Sequence, residues 1–115
     1  MQITLEDFNK VEIQVGKILT AEHIEGSDKL IKLQVDFGPS TALGVNDTRQ
    51  ILSGIKKAYA PESLVGRSCM FVTNLAPREM LGLQSNGMLL AVSDESGLPV
   101  LYTFDKEIIP GTKVK

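Results

Sequence analysis

Short stretches in which apolar and polar residues alternate, separated by glycine-rich turns, dominate the sequence and predict β-strands. The clearest strand runs over residues 31–37, where large apolar side chains alternate with lysine, glutamine and aspartate. An earlier strand begins at Val11 and changes parity past Gly16, which predicts a bend or bulge at that glycine. Further strands are predicted at residues 49–53, 68–75 and 87–92.

Helical signals are few and short. Thr4 precedes two acidic residues and resembles a helix cap, which predicts one or two turns from Leu5. A second short helix is predicted between the third and fourth strands, opened by Pro61 and closed by Gly66. Five short strands with this helix are the order of the oligonucleotide- and oligosaccharide-binding (OB) fold, a Greek-key barrel. The sequence therefore predicts an all-β, five-stranded OB-fold barrel as a single domain over residues 1–115, with flanking N- and C-terminal segments.

The C-terminal segment beyond Ser93 exceeds what five strands require, and it is rich in large apolar side chains. Such side chains must be buried either on the barrel or on a second copy of the chain. A homodimer is therefore expected. The residues concerned are Val100, Leu101, Tyr102, Phe104, Ile108 and Ile109.

The composition is that of an ordinary globular protein, since 43% of the 115 residues are hydrophobic and 23% are charged. The single cysteine, Cys69, excludes an internal disulfide and any multi-cysteine metal cage, and it is typical of a reducing compartment. No export signal and no run of about 18 apolar residues is visible. These features predict a cytoplasmic protein that does not enter a membrane.

Charge is unevenly distributed, although the formal net charge is only -2. Residues 49–78 carry five lysines and arginines against one glutamate, whereas the rest of the chain is acidic. Such a basic middle third can bind phosphate locally, although a solvated mixed-charge surface is the commoner meaning of such a block. The lack of an overall basic excess argues against nonspecific coating of nucleic acid.

No catalytic constellation is found. His23 is the only histidine, so a metal site or nucleophile–base pair that needs imidazole has one candidate. Ser85 lacks the glycine two places earlier that a nucleophile elbow requires. No glycine-rich loop is followed by the lysine and hydroxyl residue of a nucleotide-binding loop. The sequence therefore predicts no enzymatic activity, no metal site and no cofactor.

Polar side chains collect where an OB-fold binds its ligands, on strands two and three and on the loops after strands one and four. Cationic and amide groups there can bind phosphates, sugar hydroxyls and base edges of RNA. The alternative is that the lysine in strand two is ordinarily exposed, that Asn74 and Ser85 satisfy the loop backbone, and that Met88 is core. The candidates are Lys29, Lys32, Asn74, Arg78, Ser85 and Asn86.

Aromatic side chains are scarce, with six in total and no tryptophan. Binding of single strands by base stacking needs such platforms, so structured RNA recognised by its shape fits the composition better.

Several segments in the same order along the chain resemble the tRNA-binding domain family, and together they span nearly all of it. The family includes the C-terminal appendix of bacterial methionyl-tRNA synthetases, free-standing tRNA-binding proteins and the export-associated chaperone CsaA. The matching segments are residues 7–8, 11–13, 15–18, 28–36, 49–55, 74–78 and 85–90.

The resemblance implies a barrel that dimerises through its flanking segments and binds tRNA largely by shape, without catalysis. Glu79 departs from the family pattern, because relatives often carry a basic residue there, and this implies a weaker affinity. The positions implied to line the RNA groove are Lys29, Lys32, Asn74, Arg78, Ser85 and Met88.

The expected partners are tRNA, a second copy of the chain and a methionyl-tRNA synthetase. Met1 and the short leader favour a free-standing protein, although a cloned synthetase appendix would look identical. The alternative function is a CsaA-like export chaperone that holds unfolded polypeptide on an exposed barrel edge and on the apolar C-terminal segment. A metabolic enzyme is a distant third.

Overall fold

The computed structural model describes residues 1–40 and 44–115. Its only α-helix in those residues is α1 (Leu5–Phe8), a single turn that begins with a capping box between Thr4 and Asp7. One turn of 3-10 helix, Pro61–Ser63, follows the third strand. In chain order the elements are α1 (Leu5–Phe8), β1 (Ile13–His23), β2 (Ile31–Pro39), β3 (Asn46–Ser53), β4 (Ser68–Val72), β5 (Arg78–Met80), β6 (Leu83–Ser85), β7 (Met88–Leu89), β8 (Val92–Ser93) and β9 (Pro99–Val100).

The main sheet is antiparallel and has the strand order β3-β2-β1-β4-β7. Strand β1 is long enough to serve two neighbours, because its first five residues pair with β4 and residues 17–23 pair with β2. The sheet curls until β3 meets the chain between β6 and β7, where the Asn86 amide donates to the Gln50 carbonyl at 2.9 Å. The predicted OB-fold barrel is confirmed.

The irregularity predicted at Gly16 lies three residues later in β1. The pairing of β1 with β2 shifts between Ile18 and Thr20, so that Leu19 is the extra residue of a bulge. Gly16 has a different cause: a Cβ atom there would lie 2.5 Å from the Val35 side chain and 2.7 Å from the ring of Phe37. This position therefore needs glycine for close packing.

The core fills the concave side of the sheet. Apolar residues of β2, β3 and β4 are fully buried there, as the alternation in the sequence predicts. Phe37 and Phe71 meet edge to face, with ring centroids 5.4 Å apart. The opposite, outer side of β2 and β3 carries polar side chains such as that of Lys32, together with the buried Leu52.

Two predictions about the connections are corrected. The helix expected from Pro61 to Gly66 is reduced to the single 3-10 turn. The segment expected to be a loop, residues 76–86, contains the β5–β6 hairpin. Its two turn residues, Leu81 and Gly82, have φ values of 53° and 75°, as a type I′ turn requires.

The C-terminal segment packs against the barrel, and only some of its apolar side chains are buried there. Leu101 is buried, and its amide donates to the hydroxyl of Tyr59. The Tyr102 hydroxyl donates to the Leu90 carbonyl at 2.6 Å. Ile109, in contrast, remains 76% exposed. Among the described residues no helix has the length and apolar character needed to cross a membrane.

Candidate nucleic-acid interface

Lys32 lies on the outer side of the sheet. In β2 its neighbours Ile31 and Leu33 point into the core, so Lys32 points away from it. Its cross-strand partners are Leu52 in β3 and Glu22 in β1, and side chains of such partners share one face. The predicted orientation of Lys32 is confirmed.

Arg78 reaches the same face from the β5–β6 hairpin. It lines a small cavity of about 50 Å³ together with Leu52, which is the cross-strand neighbour of Lys32. Met88, whose side chain is exposed, also lines this cavity. Lys32 and Arg78 therefore both adjoin Leu52, one as its cross-strand partner and the other across the small cavity. We call the surface that Lys32, Arg78 and Met88 form around the buried Leu52 the outer groove.

Glu79 does not lie in the outer groove. It is absent from the cavity that Arg78 and Met80 line, because adjacent residues of a strand point to opposite sides. Its cross-strand partner is Gln84, also exposed. The carboxylate of Glu79, the residue that departs from the family pattern, therefore lies on the side of the hairpin that faces away from the outer groove.

Lys29 lies on the loop that precedes β2, three residues before Lys32. It is exposed, and in the part of the chain that the structure describes no carboxylate lies within 4 Å of its ammonium or of the Arg78 guanidinium. Lys32 differs, because its ammonium lies 4.0 Å from a carboxylate oxygen of Glu22. The outer groove and its approach thus present two unpaired cations and one weakly paired cation.

Asn74 uses both of its side-chain polar atoms within the protein. Its Oδ1 accepts a hydrogen bond from the Glu12 amide at 2.8 Å, and its Nδ2 donates to the Lys10 carbonyl at 2.7 Å. These bonds fasten the N-terminal segment to the end of β4. Of the two interpretations of Asn74 above, satisfaction of the backbone accounts for these contacts.

Ser85 is likewise occupied by the fold. It is 3% exposed, and its hydroxyl accepts from the Leu52 amide at 3.0 Å and donates to the Gly87 carbonyl at 3.1 Å. One hydroxyl therefore joins β3 to the chain between β6 and β7. Ser85 also lines the small cavity of the outer groove.

Arg49 has a structural role that the sequence analysis missed. Its guanidinium makes two hydrogen bonds to Asp47, of 3.0 and 3.1 Å, donates to the Thr73 carbonyl and lies over the ring of Phe37. The signal in the sequence was the carboxylate two places earlier in the same strand, which faces the same side. Part of the basic middle third therefore holds the barrel together.

Cys69 belongs to the core. It is fully buried in β4, and burial raises the pKa of its thiol to about 11, which the charge of Arg67 only partly opposes. The thiol stays protonated at neutral pH and is a poor nucleophile. His23 lies exposed at the end of β1.

Comparison with known proteins places this geometry in a family. Residues 13–113 match the family model described as "Putative tRNA binding domain". The chain is 47% identical over 112 residues to a methionine–tRNA ligase of Caldanaerobacter subterraneus subsp. tengcongensis, and 49% identical over 113 residues to that of Methanoregula boonei. These matches cover 97% and 98% of this chain but only 16% of each ligase.

Solved structures of similar length match the whole fold. A protein described as related to methionyl-tRNA synthetase, from Pyrococcus horikoshii, superposes with a TM-score of 0.89 at 35% identity, covering 100% of this chain and 99% of that one. The chaperone CsaA of Bacillus anthracis superposes with a TM-score of 0.84 at 30% identity, covering all of both chains.

Proposed function

Because the chain belongs to the tRNA-binding domain family, we propose that it binds tRNA without catalysing a reaction and that the outer groove is its RNA contact. The observation that carries this proposal is that Lys32 and Arg78, 46 residues apart in the chain, both adjoin Leu52. Lysine offers a point charge and arginine a planar fork, and both bind phosphate oxygens. Lys29 extends the same cationic surface toward the loop before β2.

The floor of the outer groove favours recognition of shape. The cavity beside Arg78 has a volume of only about 50 Å³, and the residues that line it are mostly apolar. A folded RNA backbone can lie across such a surface, with its phosphates at the cations and ribose or a base edge over Met88. Asn74 and Ser85, implied by the family pattern to line the groove, serve in this proposal by holding its wall in place.

The proposal includes a homodimer formed by the flanking segments. The side chains of α1 are unburied, with Leu5 at 74% and Phe8 at 36% exposure, and Ile109 of the C-terminal segment is 76% exposed. Exposed large apolar side chains on terminal segments are typical of surfaces that pack against another chain. Two copies would also place two outer grooves on one particle, which raises avidity for a large RNA.

The biological use that we propose is cytoplasmic supply of tRNA to a synthetase. The chain spans about one sixth of the methionine–tRNA ligases it matches, so a domain of this kind can act fused to the enzyme or alongside it. In either arrangement it would raise the local tRNA concentration without touching the reaction centre.

The test is binding of total tRNA by the wild type and by Lys32→Ala and Arg78→Ala, measured between about 50 and 300 mM salt. With one phosphate for each of Lys29, Lys32 and Arg78, a plot of log affinity against log salt should have a slope of roughly -2 to -3. Each substitution should weaken binding about fivefold and make the slope shallower by roughly one unit. Lys57→Ala, which removes an exposed lysine from the turn after β3, is the control. Unchanged affinity in the double variant would reject the outer groove as the site.

The likeness to CsaA keeps a chaperone as the second candidate. In that case an exposed barrel edge and the apolar C-terminal segment would hold an unfolded polypeptide. Suppression of aggregation at low stoichiometry, with no tRNA retained at about 50 mM salt, would favour the chaperone, since phosphate contacts are strongest at low salt. Light scattering coupled to size-exclusion chromatography, with and without tRNA, reports the subunit number in the same samples.

A further inference from the structure

The loop between β1 and β2, residues 24–30, is held by its own hydrogen bonds although it lies at the surface. Ser27 is their centre: its amide donates to the Ile24 carbonyl at 3.1 Å, and its hydroxyl accepts from the amides of Lys29 and Leu30 at 3.3 and 3.0 Å. A serine hydroxyl that accepts from following amides closes a tight turn. The path of the backbone through Lys29 is thus fixed from one side.

Lys56, in the turn that follows β3, fixes this loop from the other side. Its ammonium donates to the Ser27 carbonyl at 2.7 Å, and its backbone amide donates to the Lys29 carbonyl at 3.1 Å. The lysine is half-buried, so a charged donor meets the carbonyl partly shielded from water, where such a bond is strong. Its neighbour Lys57 is exposed.

The charges of the loop make this anchoring important for a polyanion. Glu25 and Asp28 both precede Lys29 in the loop, so residues 24–30 as a whole carry a net negative charge. A loop that sampled many conformations would present its carboxylates to RNA as often as its lysine, and the average effect would be repulsion. Only a fixed conformation lets Lys29 act as a cation at a defined place.

We propose that Lys56 is a positioning residue for RNA binding, which orders the loop 24–30 so that Lys29 meets the RNA backbone beside the outer groove. The inference rests on the proposed function. Its physical basis is preorganisation: the ordering of the loop is completed in the free protein, so it does not weaken the complex when the RNA binds. Lys56 acts through Lys29 and makes no phosphate contact of its own.

Lys56→Met tests the inference, because methionine keeps most of the apolar stem and removes the ammonium. Lys57→Met is the matched control, since it makes the same change of charge one residue away. We expect Lys56→Met and Lys29→Ala each to weaken tRNA binding about fivefold, and Lys57→Met to change it less than twofold. Adding Lys29→Ala to Lys56→Met should cause little further loss, because both substitutions remove the same contact. Lys56→Arg, which keeps a charged donor, should restore most of the affinity.

Amide hydrogen exchange in the protein without RNA gives an independent readout. In Lys56→Met the Leu30 amide should exchange at least tenfold faster, while the amides of β4 keep their protection. Additive losses in the double variant would show that Lys56 binds RNA by itself and would overturn the inference, as would unchanged exchange at Leu30. If Lys32→Ala and Arg78→Ala weaken binding but Lys29→Ala does not, this inference fails and the proposed function stands. If all three are without effect, the proposed function fails and the inference with it.

Discussion

The outer groove and the seam beside it contain similar polar residues that are used in opposite ways. We call Arg49, Asn74 and Ser85 the seam, because each bonds to backbone atoms between 24 and 64 residues away along the chain. Lys32 and Arg78 of the outer groove make no such bond among the residues that the structure describes. The seam closes the barrel, and the outer groove is left with charges that face solvent.

The difference shows which polar side chains a small barrel needs for its own backbone hydrogen bonds. Strand ends and loops leave backbone donors and acceptors that the sheet cannot pair, and each must find a partner when it is buried. Asparagine, serine and arginine supply these partners at the edge of a binding surface. A polar residue near the outer groove therefore either bonds to the backbone, as the seam residues do, or is free to contact RNA. The two kinds of residue should respond differently to substitution.

Arg49→Met should have the largest effect on stability. It leaves the Thr73 carbonyl without its donor and the Asp47 carboxylate without its partner, which we expect to lower the free energy of unfolding by about 2–3 kcal/mol. Thermal unfolding should shift downward by roughly 10 °C. Urea titration checks the change, with Arg78→Met as the groove control. Equal losses in the two variants would erase the distinction between seam and groove.

Ser85→Ala should rank second, at about 1–3 kcal/mol, because the Leu52 amide is left buried without an acceptor. At a temperature where the variant stays folded, its tRNA affinity should remain within about twofold of wild type. Gln84→Ala, at the neighbouring exposed position, is the control for stability. A strong loss of affinity with unchanged unfolding would instead make Ser85 a direct RNA contact.

Much of the barrel could be predicted from local pattern. The alternation in β2 fixes which side chains enter the core, so the outward direction of Lys32 follows from its neighbours alone. The β5–β6 hairpin could not be found this way, because its strands have three residues each and its turn is Leu81-Gly82 rather than the usual asparagine or aspartate before glycine. Short strands become visible only when their pairing partners are known.

The placement of the candidate cations could be predicted from the sequence, and the bonding of the seam residues could not. Lys32 and Arg78 are far apart in the sequence, and the OB-fold order was enough to expect them on one surface. The bonds of Asn74 to the N-terminal segment depend on how a flanking segment lies against β4, which no local pattern encodes. The polar candidates can be found in the sequence. Which of them remain accessible to a ligand depends on the long-range contacts that close the barrel.

Asn74→Ala should cost about 1 kcal/mol of stability, less than Ser85→Ala because the site is exposed and water replaces part of the lost bonding. The amide of Glu12 should exchange faster with solvent hydrogen while tRNA affinity stays unchanged. Nuclear magnetic resonance measures the exchange of the Glu12 amide and the tRNA affinity on one sample. If affinity falls and the Glu12 amide keeps its protection, Asn74 belongs to the groove and not to the seam.

Glu22→Gln should have the smallest effect and the opposite sign. Glu22 lies 4.0 Å from Lys32, and both groups are partly exposed, so the pair contributes little to stability. Removing the carboxylate frees Lys32 and takes a negative charge away from an approaching polyanion, which should strengthen tRNA binding about two- to threefold near 50 mM salt. The gain should shrink as salt screens the charges, and Glu95→Gln, in the turn after β8, should show none of it. Weaker binding in Glu22→Gln would mean that Glu22 holds the Lys32 side chain in place. Lys32 would then have a structural role like that of the seam residues.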